Sequence, residues 1–236
     1  RPRSLSASPR MLHRGHRQHQ RGHHAHTTQL VMRFAALLLV VFLLLYVLLE
    51  KKLLPRSWWR ALSAFYFPIM SIPNLLVRLA SGQPYFSEID SHLLLGAVPM
   101  VLAGHVATLH QDGVRAVVNL QAENRGPLEA YAALKPPIEQ LWLPVIDHTE
   151  PSVDQLEQAV AFIRRHQGRG ERVLVHCKGG HGRSAAVAAA WLVSDWGGGL
   201  TLEDAQQHLS SVRNVRAKLY RQTDLVEFYA RHGHGG

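Results

Sequence analysis

Residues 176–184 read His-Cys-Lys-Gly-Gly-His-Gly-Arg-Ser, which sets a cysteine and an arginine on either side of a five-residue, glycine-containing loop. A thiolate attacks phosphorus, but an ordinary thiol with pKa ~8.5 is mostly protonated at neutral pH. Arg183, the loop amides and a helix N-terminus would all favour the anion and so activate Cys177. Arg183 also offers a planar fork that grips two phosphate oxygens, which a lysine does not. Gly179, Gly180 and Gly182 let the backbone turn its N–H groups inward. The flanks supply the frame. Arg172-Val-Leu-Val-His176 is an apolar run that predicts a buried strand, and Ser184-Ala-Ala-Val-Ala-Ala-Ala-Trp-Leu predicts the start of a helix. Strand, loop and helix N-terminus together make a cradle for a phosphate dianion, with residues 177–183 lining it.

This arrangement resembles the loop of the cysteine-dependent protein tyrosine phosphatase superfamily. The resemblance implies a hydroxyl at Ser184 bonded to the sulfur as it leaves, and a structural role for His176 beside the cysteine. Lys178 and His181 are the variable loop positions, read as substrate-selecting charges. The family takes its general acid from an aspartate some thirty residues earlier, and Asp147 stands at that distance, at the end of the apolar stretch 141–146. Asp147 would protonate the leaving oxygen and then activate the water that cleaves the phosphocysteine. Read alone, it only begins a turn; Glu150 is the fallback acid. The chemistry implied needs no metal and no cofactor. Cys177 is the only cysteine, so no intramolecular disulfide forms, and a low-pKa thiolate without a resolving partner is exposed to peroxide.

The elements that must position these groups follow from Tyr85 onward. Leu93–Pro99, Val114–Leu120 and Ile138–Ile146 are short apolar strand candidates. Ser152-Val-Asp-Gln155 reads as a capping box, followed by Val153, Leu156, Val160 and Ile163 at helical spacing. Gly168 and Gly170 end that helix. Further helices are expected from Thr201 to about Val212 and from Gln222 to Tyr229. The layout predicts an α/β domain over 85–232, with a central, mostly parallel sheet flanked by helices and the site at the C-terminal end of a strand.

The 236 residues carry a net charge of +9, much of it N-terminal, and no acidic residue precedes Glu50. Residues 1–29 are rich in Arg, His, Ser and Gln and are expected to be a disordered basic leader. His13, His16, His19, His23, His24 and His26 read as solvated rather than metal-binding, and no nucleic-acid motif accompanies the charge. Residues 30–49 are apolar on every helical face and about one bilayer core long, with Arg33 at one end and Lys51 and Lys52 beyond the other. That predicts a single N-terminal membrane helix, or an organellar targeting segment that is removed. Charge flanks both ends, so orientation is not readable. Residues 50–84 form an aromatic-basic linker with Trp58, Trp59, Phe65, Tyr66 and Phe67, suited to a membrane interface or to packing as an extra helix.

Beyond the loop, Tyr85-Phe-Ser-Glu-Ile-Asp-Ser-His-Leu-Leu-Leu-Gly-Ala-Val-Pro99, the stretches 114–120, 141–152 and 172–184, and Arg213-Asn-Val-Arg216 follow in the order of one family. They resemble the mitochondrial dual-specificity phosphatases that dephosphorylate phosphatidylglycerophosphate, in plants, algae and animals. The stretch 120–125 lacks that family's usual acidic-aromatic run, and Ala217 stands where proline commonly follows arginine. Three readings are open: a membrane-attached phosphatase acting on an anionic phospholipid, a dual-specificity protein phosphatase, and an inactive phosphate-binding module. The family implies the mitochondrial inner membrane as address, with plastid or endoplasmic reticulum as alternatives.

Overall fold

The computed structural model describes residues 84–233 continuously and, before them, only residues 29, 32–34, 36–45, 47, 48, 53 and 58. These described residues fall in two units, one ending at Leu54 and one beginning at Pro55. In the first, the described residues from 29 to 48 are helical. Met32, Phe34, Leu38, Val41, Leu44 and Val47 are all exposed there, so apolar side chains point outward around the helix. Among the described residues no helix is long and apolar enough to cross a membrane. The expected span 30–49 includes 30, 31, 35, 46 and 49, which lie outside the described residues. So do residues 1–28 of the leader expected at 1–29, whose residue 29 is helical, and almost all of the linker at 50–84.

The second unit is built on five strands: β1 (Phe86–Glu88), β2 (Leu93–Gly96), β3 (Val114–Gln121), β4 (Glu139–Val145) and β5 (Arg172–His176). Their order across the sheet is β1-β2-β5-β3-β4. Only β1 runs antiparallel to its neighbour; the β2, β5, β3 and β4 pairings are all parallel. The mostly parallel sheet expected from sequence is therefore present, and β5, which carries His176, lies at its centre. Both faces are covered, as parallel strands require, and the middle of β5, Val173-Leu-Val175, is apolar and buried for that reason. Val173 and Val175 join the larger core, with α3 (Val153–Gln167), α4 (Arg183–Val193), α5 (Leu202–Val212) and α6 (Thr223–His232). Leu174 points the other way, to a smaller core under α1 (His105–Gln111) and α2 (Leu128–Ala132). The sequence reading missed α1, α2 and β1, all short elements with weak periodicity.

Helix α4 is buried at every residue, which explains its run of alanine and valine. A helix apolar all round belongs in the middle of a layer. Its Trp191 is fully buried, and the indole N–H donates to Asp90 Oδ2 at 2.6 Å. The capping box at the start of α3 forms as expected: Gln155 N–H donates to Ser152 Oγ at 3.3 Å and Ser152 N–H to Gln155 Oε1 at 3.0 Å. That cap fixes where the chain leaves the loop holding Asp147.

Candidate active site

Strand β5 ends at His176, and α4 begins at Arg183, so residues 177–182 close the turn between them. Gly180 has φ +67°, and a Cβ there would come within 2.5 Å of the Gly96 carbonyl, so glycine is required twice over. The loop is stapled from outside. Arg213, buried, donates from Nε to the Gly180 carbonyl at 2.9 Å and from Nη2 to the Gly179 carbonyl at 3.1 Å. Its Nη1 reaches Ser87 Oγ at 3.2 Å, tying the loop to β1. The Val98 N–H donates to the Lys178 carbonyl at 3.4 Å. With these carbonyls engaged on the outside, the loop's N–H groups are left to face an anion.

Cys177 is buried, and the Ser184 hydroxyl donates to its sulfur at 3.2 Å. Burial pushes the thiol pKa up. The Arg183 charge, the Ser184 hydroxyl and the backbone N–H groups of Ser184 and His181 outweigh it, leaving the thiol below its ordinary value. His176 lies under the loop, fully buried, with Nδ1–H donating to the Cys177 carbonyl at 3.4 Å. Burial holds its pKa down to about 3, the adjacent Arg183 charge adding to that, so the ring is neutral.

Arg183 is buried at the N-terminus of α4, where Nη1 donates to Glu123 Oε2 at 2.8 Å and Nη2 to Glu123 Oε1 at 2.7 Å. Nη1 also donates to the Val145 carbonyl at 2.8 Å, and Nη2 lies 2.9 Å from Asp147 Oδ1. The Lys178 ammonium reaches the other oxygen, Asp147 Oδ2, at 2.5 Å. Burial pushes the Asp147 carboxyl up, but Arg183, Lys178 and His148 overcome this and hold it at about 2. The turn is tight: His148 adopts φ +63°, and Thr149 donates to the Ile146 carbonyl from N–H at 3.1 Å and from Oγ1 at 2.7 Å.

Every loop residue singled out from sequence, together with His176, Ser184 and Asp147, is thus gathered at the C-terminal end of β5. Glu150 is exposed and takes no part in this ion-pair network. Two groups were missed. Glu123 follows β3 by two residues and presents a buried carboxylate to Arg183. Its loop is shaped by Asn119, whose Nδ2 donates to the Asn124 carbonyl at 2.9 Å, and by Trp142, whose Nε1 donates to the Gln121 carbonyl at 2.7 Å. Arg213 is the other. Its only sequence signal was its place in the motif 213–216.

Comparison with known proteins agrees with this geometry. Residues 95–230 match the model of the dual specificity phosphatase catalytic domain, and the chain belongs to that family. It is a cysteine-dependent phosphatase, a hydrolase of phosphomonoesters. Phosphatidylglycerophosphate phosphatase PTPMT2 of Arabidopsis thaliana is 31% identical over 170 residues, covering 70% of this chain and 72% of that one. The human phosphatidylglycerophosphatase and protein-tyrosine phosphatase 1 is 33% identical over 137 residues, 53% of this chain and 67% of that one. The crystal structure of PTPMT1 in complex with PI(5)P superposes with a TM-score of 0.55 at 26% identity, over 63% of this chain and 96% of that one.

Proposed function

We propose that this protein removes the terminal phosphate of an anionic phospholipid, phosphatidylglycerophosphate, through a phosphocysteine intermediate at a membrane surface. The observation that carries the substrate is the likeness to the Arabidopsis phosphatidylglycerophosphate phosphatase over 70% of the chain. The PI(5)P complex of a structural relative points to the same substrate class.

The Cys177 thiolate attacks phosphorus while the P–O bond to the alcohol breaks, and the alcohol oxygen takes a proton from Asp147. Arg183 and the loop amides hold the three non-bridging oxygens, whose charge they match throughout. Asp147, now a carboxylate, takes a proton from water as the water oxygen attacks phosphorus. The S–P bond breaks, and the Ser184 hydroxyl, 3.2 Å from Sγ, stabilises the departing thiolate. In the empty site Asp147 is held ionised, the wrong form for an acid. A bound dianion draws Arg183 and Lys178 to itself and weakens their pull on the carboxylate. Burial then raises the Asp147 pKa towards the range in which it carries a proton.

Residues 30–49 serve in this reading as the membrane attachment, supported by the outward apolar side chains from Met32 to Val47. The mitochondrial inner membrane is the proposed address. Carbonate extraction of the full-length protein tests the attachment: a fully soluble protein would overturn it.

The second reading, a dual-specificity protein phosphatase, is favoured by the human relative, which is named for both lipid and protein-tyrosine phosphatase activity. Phosphate release measured side by side from phosphatidylglycerophosphate, phosphoinositides and phosphopeptides separates the two. Preference for the lipid is expected; preference for the peptides would reverse the assignment.

A further inference from the structure

Four basic side chains surround the loop, and three are already engaged. Lys178 and Arg183 hold Asp147, Arg183 also holds Glu123, and Arg213 is buried against the carbonyls of Gly179 and Gly180. Arg216 differs. Its backbone is locked to the loop: its N–H donates to the His181 carbonyl at 2.9 Å, and His181 Nδ1–H donates to the Asn214 carbonyl at 2.9 Å. Gln206 Nε2 donates to the Arg216 carbonyl at 3.2 Å. The side chain lies over Gly182, the last loop residue before Arg183. A Cβ placed on Gly182 would be 3.4, 3.6 and 3.8 Å from Nη2, Cζ and Nε of Arg216. The guanidinium therefore faces Gly182 across the space that a side chain there would fill. Among the described residues no carboxylate pairs with it and no hydrogen bond engages its guanidinium. Arg216 is held half-buried on the rim of the loop with its donors free.

We propose that Arg216 is a specificity-determining residue that binds a second anionic group on the substrate, the phosphodiester that lies one short linker from the phosphate being removed. The proposal rests on the phosphatase reading above and narrows its substrate to molecules with two phosphate groups. It also moves to Arg216 the substrate-selecting task that the sequence assigned to Lys178 and His181. Lys178 bonds the acid, and Arg216 takes the second anion. A fork of five donors on a fixed backbone suits a diester, which offers two equivalent oxygens. Glutamine in place of arginine is shorter and uncharged and removes the fork, while lysine keeps the charge and much of the reach, so Arg216→Gln and Arg216→Lys together are the informative changes.

The experiment has two arms, both with the full chain. The first compares steady-state constants on short-chain phosphatidylglycerophosphate and on p-nitrophenyl phosphate. Arg216→Gln is expected to raise KM for the lipid by about tenfold or more, the scale of one charge-assisted hydrogen bond, with much the smaller effect on kcat. The loss on p-nitrophenyl phosphate should be several-fold less, and Arg216→Lys should recover part of the lipid KM. The second arm measures competitive inhibition of p-nitrophenyl phosphate hydrolysis by glycerol 1,3-bisphosphate and by glycerol 3-phosphate. The wild type should bind the bisphosphate more tightly, and Arg216→Gln should erase that advantage. Parallel losses on both substrates, or no bisphosphate preference in the wild type, would overturn the assignment. Should the wild type cleave no phospholipid yet keep an Arg216-dependent bisphosphate preference, the lipid reading falls and the role of Arg216 stands.

Discussion

Behind Cys177 the chain is fixed largely by bonds to backbone: Arg213 to two loop carbonyls, Val98 to the Lys178 carbonyl, and His176 to the Cys177 carbonyl. In front of it Glu123, Arg183, Asp147 and Lys178 hold one another through charge. The rear wall's bonds end on backbone carbonyls, which an anion does not compete for, so its geometry is set in advance. The front wall has its cations committed to carboxylates and must share them with an arriving phosphate. A site built this way holds both the Cys177 thiol and the Asp147 carboxyl below their ordinary values before substrate comes, because the Arg183 charge acts on both.

The largest test of the rear wall is Cys177→Ser. Turnover should fall by at least about 10³-fold, since the hydroxyl is a far weaker nucleophile at neutral pH. Phosphate binding should survive, because the amides and Arg183 remain. Turnover within tenfold of wild type, or a trapped phosphoenzyme on another residue, would dismantle the mechanism.

Asp147→Ala probes the front wall next. Hydrolysis of alkyl phosphates should slow by roughly 10²–10⁴, and that of an activated aryl phosphate by much less, because its leaving group needs little protonation. Equal losses on both substrates would make Asp147 structural, and Glu150 would then be the acid to examine.

Glu123→Ala removes the bidentate partner of a buried guanidinium. Leaving such a charge unpaired costs about 3–5 kcal/mol. In a chain of this size that lowers Tm by roughly 10 °C. Differential scanning calorimetry gives the answer. An unchanged Tm would mean that the Val145 carbonyl and Asp147 suffice to hold Arg183.

The last test is the pH dependence of stability. Folded His176 titrates at about 3, below its ordinary 6.5, because burial penalises the cation. The unfolded chain therefore binds that proton first, and stability is lost as pH falls from about 6.5 toward 3. Asp147, held at about 2 against its usual 3.8, adds a second loss in the lower window. Its share is about 2 kcal/mol. Thermal melts between pH 7 and 3 should show the decline starting above the carboxylate range. His176→Asn should remove its upper part. A flat profile down to pH 5 in the wild type would contradict the burial of a neutral imidazole.

Much of this was readable from residue types and spacing. The run 172–184 names nucleophile, fork and frame at once, because a strand, a glycine turn and a helix start are all local decisions. Asp147 was located by its distance from the cysteine and its place after a strand. Glu123 was not, because nothing local marks it: it lies sixty residues before Arg183 in sequence, and only the parallel pairing of β3 with β5 brings them together.

The chemistry is already legible in the order of residues, since a cysteine and an arginine around a glycine loop admit few other uses, and each contact within that loop spans a handful of residues. The tertiary structure decided how the charges are shared. It set Lys178 on the acid rather than out toward substrate, buried Arg213 as a staple and left Arg216 free on the rim. Those are outcomes of long-range packing among β1, β3 and the segment after α5, where an arginine's partner depends on which distant carbonyl or carboxylate the fold delivers to it.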